Sequence, residues 1–248
     1  MKGEAGGHET IDELRDYGLR IIQPRDGYRF SLDPLLLCYF AKVGRGARII
    51  DLGTGSGVIP LVLARTVEDA AIVGVEFQEE MAGLAARNAE LNGLRERVEI
   101  VCDDILSLRK RFPVSIFDLV VANPPFRKQG SGRVSPKAGR DLARHETTAG
   151  LGDFLTAAKY LVKPAGTICF IYHPSRLAEC FNQADALNLA PLRLRMVHGT
   201  SGMEARMFLI ELAKGRKGGL AVLPPLFVYD NDGAYSEEMK RILGEQDA

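Results

Sequence analysis

The sequence has no net charge, because its 32 basic and 32 acidic side chains cancel over 248 residues. A chain so balanced is no general binder of polyanions, and any contact with nucleic acid has to come from local patches. It has no apolar run long enough to span a bilayer. The first eight residues have no apolar centre, which excludes a signal peptide and leaves a disordered start as the expectation. Cysteine is scarce: Cys38, Cys102, Cys169 and Cys180 form no C-x-x-C pair and read as reduced, buried thiols of a cytoplasmic protein. His8, His145, His173 and His198 lack the spacing of metal ligands, so no metal is expected. There is no internal repeat. What remains is 46% hydrophobic, enough for one large α/β unit, read as a single domain over residues 31–248 preceded by an arm and hairpin over residues 1–30.

The rest of the chain is organised around Asn123-Pro124-Pro125-Phe126. The apolar run before it, residues 117–122, predicts a buried parallel strand. Two prolines then forbid a helix start and a further ladder partner, so the backbone leaves the sheet rigidly at the strand's carboxyl end. In open α/β sheets ligands bind at that edge. The Asn123 side-chain oxygen and the Pro124 carbonyl are two acceptors, enough to hold both hydrogens of an –NH2 group. An amino nitrogen on a planar ring or an acyl group is a poor nucleophile because its lone pair is delocalised. Holding both hydrogens pushes it towards a tetrahedral form with an available lone pair, and Phe126 offers a face for a flat base. A Pro-Pro turn with an ordinary turn asparagine is the bland alternative.

A second stretch, residues 47–57, reads as a strand ending in Asp51, a tight loop with Gly53, Gly55 and Gly57, and then a helix from Val58. Glycines admit close approach of a ligand to the backbone, and the helix start offers free N–H groups. The next strand ends in Glu76, positioned to accept from a ribose diol, with Phe77 able to pack on an adenine face. The third ends at Asp103-Asp104, where a carboxylate can accept from an adenine amino group while its neighbour serves as a cap. Val58 spoils the G-x-G-x-x-G fingerprint of dinucleotide binders. The three sets of acids instead answer the ammonium, ribose and adenine of S-adenosylmethionine in turn.

Around these lie the other elements. Residues 11–19 suggest a short helix or arm, and residues 23–30 a hairpin turning at Asp26-Gly27. Asp33 suits an N-cap and Pro34 the first helical position, with a lid over the ligand as the alternative role of that helix. Residues 127–144 are a basic, glycine-containing loop carrying Arg127, Lys128, Arg133, Lys137, Arg140 and Arg144, placed to meet phosphates or simply solvated. A helix over residues 152–162, a turn at 163–166, a strand to Tyr172, and a helix capped at His173-Pro174-Ser175 follow. Residues 192–197 and 206–212 are the last strands, able to pair antiparallel. Residues 214–219 form a second basic, flexible patch.

The glycine loop together with Asn123-Pro124-Pro125-Phe126 resembles the class I S-adenosylmethionine-dependent methyltransferases that act on amino nitrogens. Residues 27–33, 75–78, 143–146, 226–230 and 235–236 extend the resemblance, over nearly the whole chain, to the bacterial tRNA(Val) adenine-N6 methyltransferase family. It implies a Rossmann-like α/β sandwich on a mostly parallel seven-stranded sheet with an antiparallel last strand. It further implies S-adenosylmethionine as cofactor and, as substrate, a tRNA anticodon loop, methylated at the adenosine just 3′ of the anticodon. In that pattern Asp51, Gly53, Gly55 and Gly57 face the cofactor's amino-acid end, with Ser31 and Asp33 near its methionine. Glu76 meets the ribose, Phe77 and Asp104 (or Asp103) the adenine, and Asn123 to Phe126 the target. Other acceptors of the same chemistry are a release-factor glutamine, DNA adenine or a guanine amino group. A non-catalytic RNA-binding relative and, more distantly, an NAD oxidoreductase are the readings from other classes.

Overall fold

The most apolar segments of the chain lie side by side in the middle of one sheet. The structure, a computed structural model, describes residues 9–25, 31–125, 149–216 and 218–244. Its central strands are β3 (Arg48–Leu52), β4 (Ala71–Glu76), β5 (Val98–Cys102), β6 (Phe117–Ala122) and β7 (Val162–Tyr172), continued by β8 (Leu189–His198) and β9 (Ala205–Lys214). Two short strands, β10 (Ala221–Val222) and β11 (Leu226–Phe227), pair with β8 and extend the expected seven strands to nine. The order is β10-β8-β9-β7-β6-β3-β4-β5. Strand β9 runs antiparallel to β7 and β8, and the other pairings are parallel, as the resemblance implies. Parallel neighbours need crossovers, and the helices that supply them cover both faces, which is why β6 is buried almost throughout.

Helices α1 (Asp33–Phe40), α2 (Val58–Thr66), α3 (Glu79–Leu91) and α6 (Glu237–Leu243) contribute to the apolar cluster on one face. Helices α4 (Leu151–Leu161) and α5 (Leu177–Ala186) cover the other. Fully buried Phe117, Phe170 and Phe208 anchor the second cluster, each side chain contributing roughly 1.5–3 kcal/mol by burial. Near the sheet's edge Arg193 pairs with Glu211, donates to the Phe40 carbonyl at 3.1 Å and lies over the Phe40 ring.

The amino-terminal region departs from expectation. Residues 11–19 are not a helix: β1 (Glu9–Leu14) and β2 (Leu19–Pro24) form an antiparallel hairpin through a 3-10 turn at Arg15–Tyr17. Leu19, Ile21, Ile22 and Gln23 are all buried, so β2 shows no clean two-residue alternation from which a strand could be read. The hairpin therefore turns before Asp26-Gly27, and Asp26 to Phe30 lie outside the described residues. The Tyr17 hydroxyl donates to the Ile242 carbonyl of α6 at 2.6 Å, joining this hairpin to the far end of the chain.

Three smaller corrections concern single residues. Asp33 is the first residue of α1 and not its cap; Leu32 holds that position without a side-chain bond. Cys102 is exposed, whereas the other three thiols are buried as expected. Lys214 is no part of a flexible patch, since its ammonium donates to the Ser115 hydroxyl and to the Lys159 and Val162 carbonyls. The turn expected at residues 163–166 falls within the limits of β7 as a bulge: pairing jumps from Val162 opposite Phe117 to Thr167 opposite Leu119, with Ala165 at φ +62°.

Candidate functional site

Strands β3, β4, β5 and β6 are parallel neighbours, so their carboxyl ends share one edge of the sheet. Register sets Leu52 opposite both Val75 and Ala122, and Glu76 opposite Cys102. The residues that follow these ends are Gly53, Phe77, Asp103 and Asn123. Sites expected from segments 70 residues apart are thus brought into one row, with Asn123 beside the glycine loop.

The loop is held from two sides. The Gly53 and Thr54 N–H groups donate to the Val75 carbonyl, and the Gly55 N–H donates to Glu76 Oε2 at 2.9 Å. The other Glu76 oxygen accepts from the Gln78 N–H at 3.0 Å. Gly57 sits at φ +85° as the N-cap of α2, and a Cβ there would lie 3.1 Å from that of Ala85. Glycine is therefore required both by conformation and by the close approach of α3.

Asp51 is the most unusual group. It is fully buried, and neither carboxylate oxygen has a hydrogen-bond partner among the described residues. Burial pushes its pKa up to about 7, and the Glu76 carboxylate adds to the rise; the nearby Thr54 hydroxyl eases it without reaching good hydrogen-bond geometry. A buried carboxylate left unsatisfied is costly and accounts for itself when a cationic ligand arrives. Asp33 shows the same tendency more weakly: burial raises its pKa, offset in part by exposed Ser31, whose hydroxyl also accepts from the Asp33 N–H.

Asn123 is half-buried, and its Oδ1 is shielded from solvent with no hydrogen-bond partner among the described residues. That is an acceptor at the carboxyl end of a core strand to which none of the described residues donates. Tyr172, at the end of neighbouring β7, donates its hydroxyl to the Pro125 carbonyl at 3.2 Å and so fixes the exit of the Asn-Pro-Pro segment. Of the adjacent acids, Asp103 accepts from the Ser107 hydroxyl at 2.5 Å and from the Asp104 N–H. Asp104 accepts from the Leu106 N–H through Oδ1. Asp103 is the more committed to capping its own turn. The Phe77 ring is 41% exposed, leaving area for a flat ring to cover. Phe126 and the six basic residues Arg127, Lys128, Arg133, Lys137, Arg140 and Arg144 lie outside the described residues.

Sequence reasoning missed three contributors. Phe154 of α4 lies against the loop, its ring 3.5 Å from where a Gly53 side chain would begin. Tyr172 could have been found as a hydroxyl at the end of the strand beside Asn123. Asn88 could have been found as a polar residue within the small-residue stripe of α3, among Ala82, Ala85 and Ala89.

These groups fit S-adenosylmethionine: an orphaned buried carboxylate for its ammonium, a clamped acid for its ribose, and an open aromatic face for its adenine. Among the described residues no group of His, Cys, Asp and Glu could hold a metal ion, and no helix is long and apolar enough to cross a membrane.

The model of the methyltransferase small domain matches residues 33–173, which contain the glycine loop, the acids and Asn123. A Porphyromonas gingivalis protein named tRNA1(Val) (adenine(37)-N6)-methyltransferase is 32% identical over 200 residues, covering 78% of this chain and 76% of its own. A relative of the same name from Escherichia coli O1:K1 is 29% identical over 219 residues, covering 88% and 87%. Among solved structures, a predicted O-methyltransferase from Agrobacterium tumefaciens matches with a TM-score of 0.70 at 22% identity, over 87% of this chain and 98% of that one. TrmN from Thermus thermophilus matches with a TM-score of 0.54 at 24% identity, over 73% and 48%. Such structural likenesses establish the fold, and the sequence matches establish the kinship. The chain belongs to the methyltransferase small domain family and is an S-adenosylmethionine-dependent methyltransferase.

Proposed function

We propose that this enzyme methylates the exocyclic N6 of an adenine in tRNA, the acceptor being adenine 37 of tRNA1(Val), as the names of its relatives suggest. The observation that carries this reading is the shielded Oδ1 of Asn123 beside the glycine loop, without a hydrogen-bond partner among the described residues. When bound, S-adenosylmethionine supplies a methyl group made electrophilic by a positively charged sulfur.

The chain's own residues do the rest. Asp51 receives the ammonium, with Ser31 and Asp33 near the methionine portion. Glu76 takes the ribose hydroxyls through lone pairs not used by Gly55 and Gln78. Asp104 and Phe77 hold the adenine, with Asp103 bracing the turn. Asn123 Oδ1 and the Pro124 carbonyl accept the two N6 hydrogens and tip the nitrogen towards a reactive geometry. Pro125, held by Tyr172, keeps that pair of acceptors rigid, and Phe126 stacks on the target base. Positioning of this kind is worth ~7–11 kcal/mol. Extruding the base costs a few kcal/mol, least in a single-stranded loop. The basic residues of the loop over 127–144 meet the flanking phosphates.

The test is transfer of labelled methyl groups to purified tRNA, with nucleoside analysis of the product. N6-methyladenosine is expected. Asn123→Ala should lower turnover by roughly 10²–10³-fold, the usual cost of one lost hydrogen-bonding group aimed at the reacting centre. Its affinity for S-adenosylhomocysteine should stay within about tenfold of the wild type, a hydrogen bond's worth at most. Label in any other nucleoside, or undiminished turnover by the variant, rejects the reading.

A further inference from the structure

The N-terminal hairpin and the glycine loop share one side chain. Asn88 is fully buried near the end of α3. Its Oδ1 accepts from the Ile22 N–H at 2.7 Å, and its Nδ2 donates to the Ile22 carbonyl at 3.1 Å and to the Ser56 carbonyl at 2.9 Å. Ser56 stands between Gly55, held by Glu76, and Gly57, which starts α2. One amide thus ties strand β2 to the centre of the loop.

Four residues on, Asn92 grips Arg20 in the same way. Its Oδ1 accepts from the Arg20 N–H at 2.8 Å and its Nδ2 donates to the Arg20 carbonyl at 2.7 Å. The fit follows from two periods. Four helical residues rise about 6 Å and two strand residues about 6.8 Å. Asparagines spaced i, i+4 at the end of α3, the second being its C-cap, therefore stand in for the peptide groups of a missing strand along the edge of β2 not paired with β1. The remaining donors differ. That of Asn92 goes to the Asn88 carbonyl of its own helix at 2.7 Å, and that of Asn88 goes to the loop.

We propose that Asn88 is a positioning residue for the cofactor loop, through which docking of the hairpin and binding of the cofactor reinforce each other. A loop held open to its ligand by Asn88 requires Ile22 in place, and a loop fixed by ligand holds Ile22 in return, because coupling between two sites is reciprocal. The inference rests on the cofactor assignment and not on which base receives the methyl group.

Asn92 is the matched control, since its loss removes the two bonds at Arg20 but leaves Ile22 tied to the loop through Asn88. The experiment titrates S-adenosylhomocysteine into wild type, Asn88→Ala, Asn88→Asp and Asn92→Ala by calorimetry without RNA, and follows exchange of the Arg20 and Ile22 amides with and without that ligand. Asn88→Asp keeps the acceptor for Ile22 and removes the donor to Ser56. Both Asn88 variants should raise Kd about tenfold or more, while Asn92→Ala changes it less than about threefold, the difference being one buried hydrogen bond to the loop. In wild type the ligand should slow exchange at Ile22. Equal weakening by Asn88 and Asn92 variants, or exchange at Ile22 indifferent to ligand, overturns the proposal. Should the Asn88 variants fail to fold, exchange in the wild type decides alone. Methyl transfer to RNA plays no part, so this outcome is separate from that of the substrate test.

Discussion

Replacing Asp51 by asparagine should make the unliganded protein more stable and the enzyme worse. In the folded apo state burial raises the Asp51 pKa from 3.8 to about 7. At about 1.36 kcal/mol per pH unit, keeping that carboxylate ionised above pH 7 destabilises the apo protein by about 4 kcal/mol. The sign follows from proton uptake. Below pH 3.8 the group is protonated in both states and costs nothing. Between 3.8 and 7 only the folded state retains the proton, so the penalty grows with pH, and above 7 it is constant. Asparagine buries an unsatisfied amide instead, which returns part of the gain. A net 2–3 kcal/mol at pH 8 corresponds to a melting temperature raised by roughly 5–10 °C. Melting curves of wild type and Asp51→Asn from pH 4.5 to 8.5 read the gap directly, and their difference cancels the other titrating groups. The gap should open as pH rises and level off above pH 7. Titration with S-adenosylhomocysteine at pH 8 should show the cost: affinity lower by roughly 10–100-fold, the value of a charge-assisted hydrogen bond to the ammonium. A gap that does not change with pH refutes the account of Asp51 as a buried unpaired charge. Undiminished affinity refutes its role at the ammonium.

Other substitutions separate stability from chemistry. Tyr172→Phe removes the bond to the Pro125 carbonyl and should lower kcat while leaving cofactor affinity unchanged, with a stability loss of about 1 kcal/mol in denaturant titration. Gly57→Ala forces a side chain into φ +85° and against Ala85, and should cost about 1–2 kcal/mol along with weaker binding of S-adenosylhomocysteine. Arg193→Met strands the nearly buried Glu211 carboxylate and should cost about 3–5 kcal/mol in urea unfolding, with KM for the cofactor unchanged because the pair lies away from the site.

The parts of the site that were legible in the sequence are those where geometry is written into residue type. Two prolines after an apolar run can only leave a sheet, and three glycines between a strand and a helix can only be a close-approach loop. The acids at Asp51, Glu76 and Asp103-Asp104 were legible because parallel strands bring their carboxyl ends to one edge. The amino-terminal hairpin was not. Its second strand is short, its partner edge is a helix, and the bonds that dock it come from Asn88 and Asn92, some 70 residues away. No local pattern carries that information. Asp33 was misplaced by one position because a cap is defined by backbone angles, and Leu32 adopts the helical ones first. An apolar run suggests a buried Cys102, yet it is the last residue of the edge strand β5 and is exposed.

The bond from Tyr17 to Ile242 also bears on how the molecule is made. Residues 225 positions apart meet there, so this contact of the hairpin waits until α6 has been made. Contacts of such long separation form late. The hairpin is therefore made well before its packing is completed, and until α6 closes over it that edge stays unfinished.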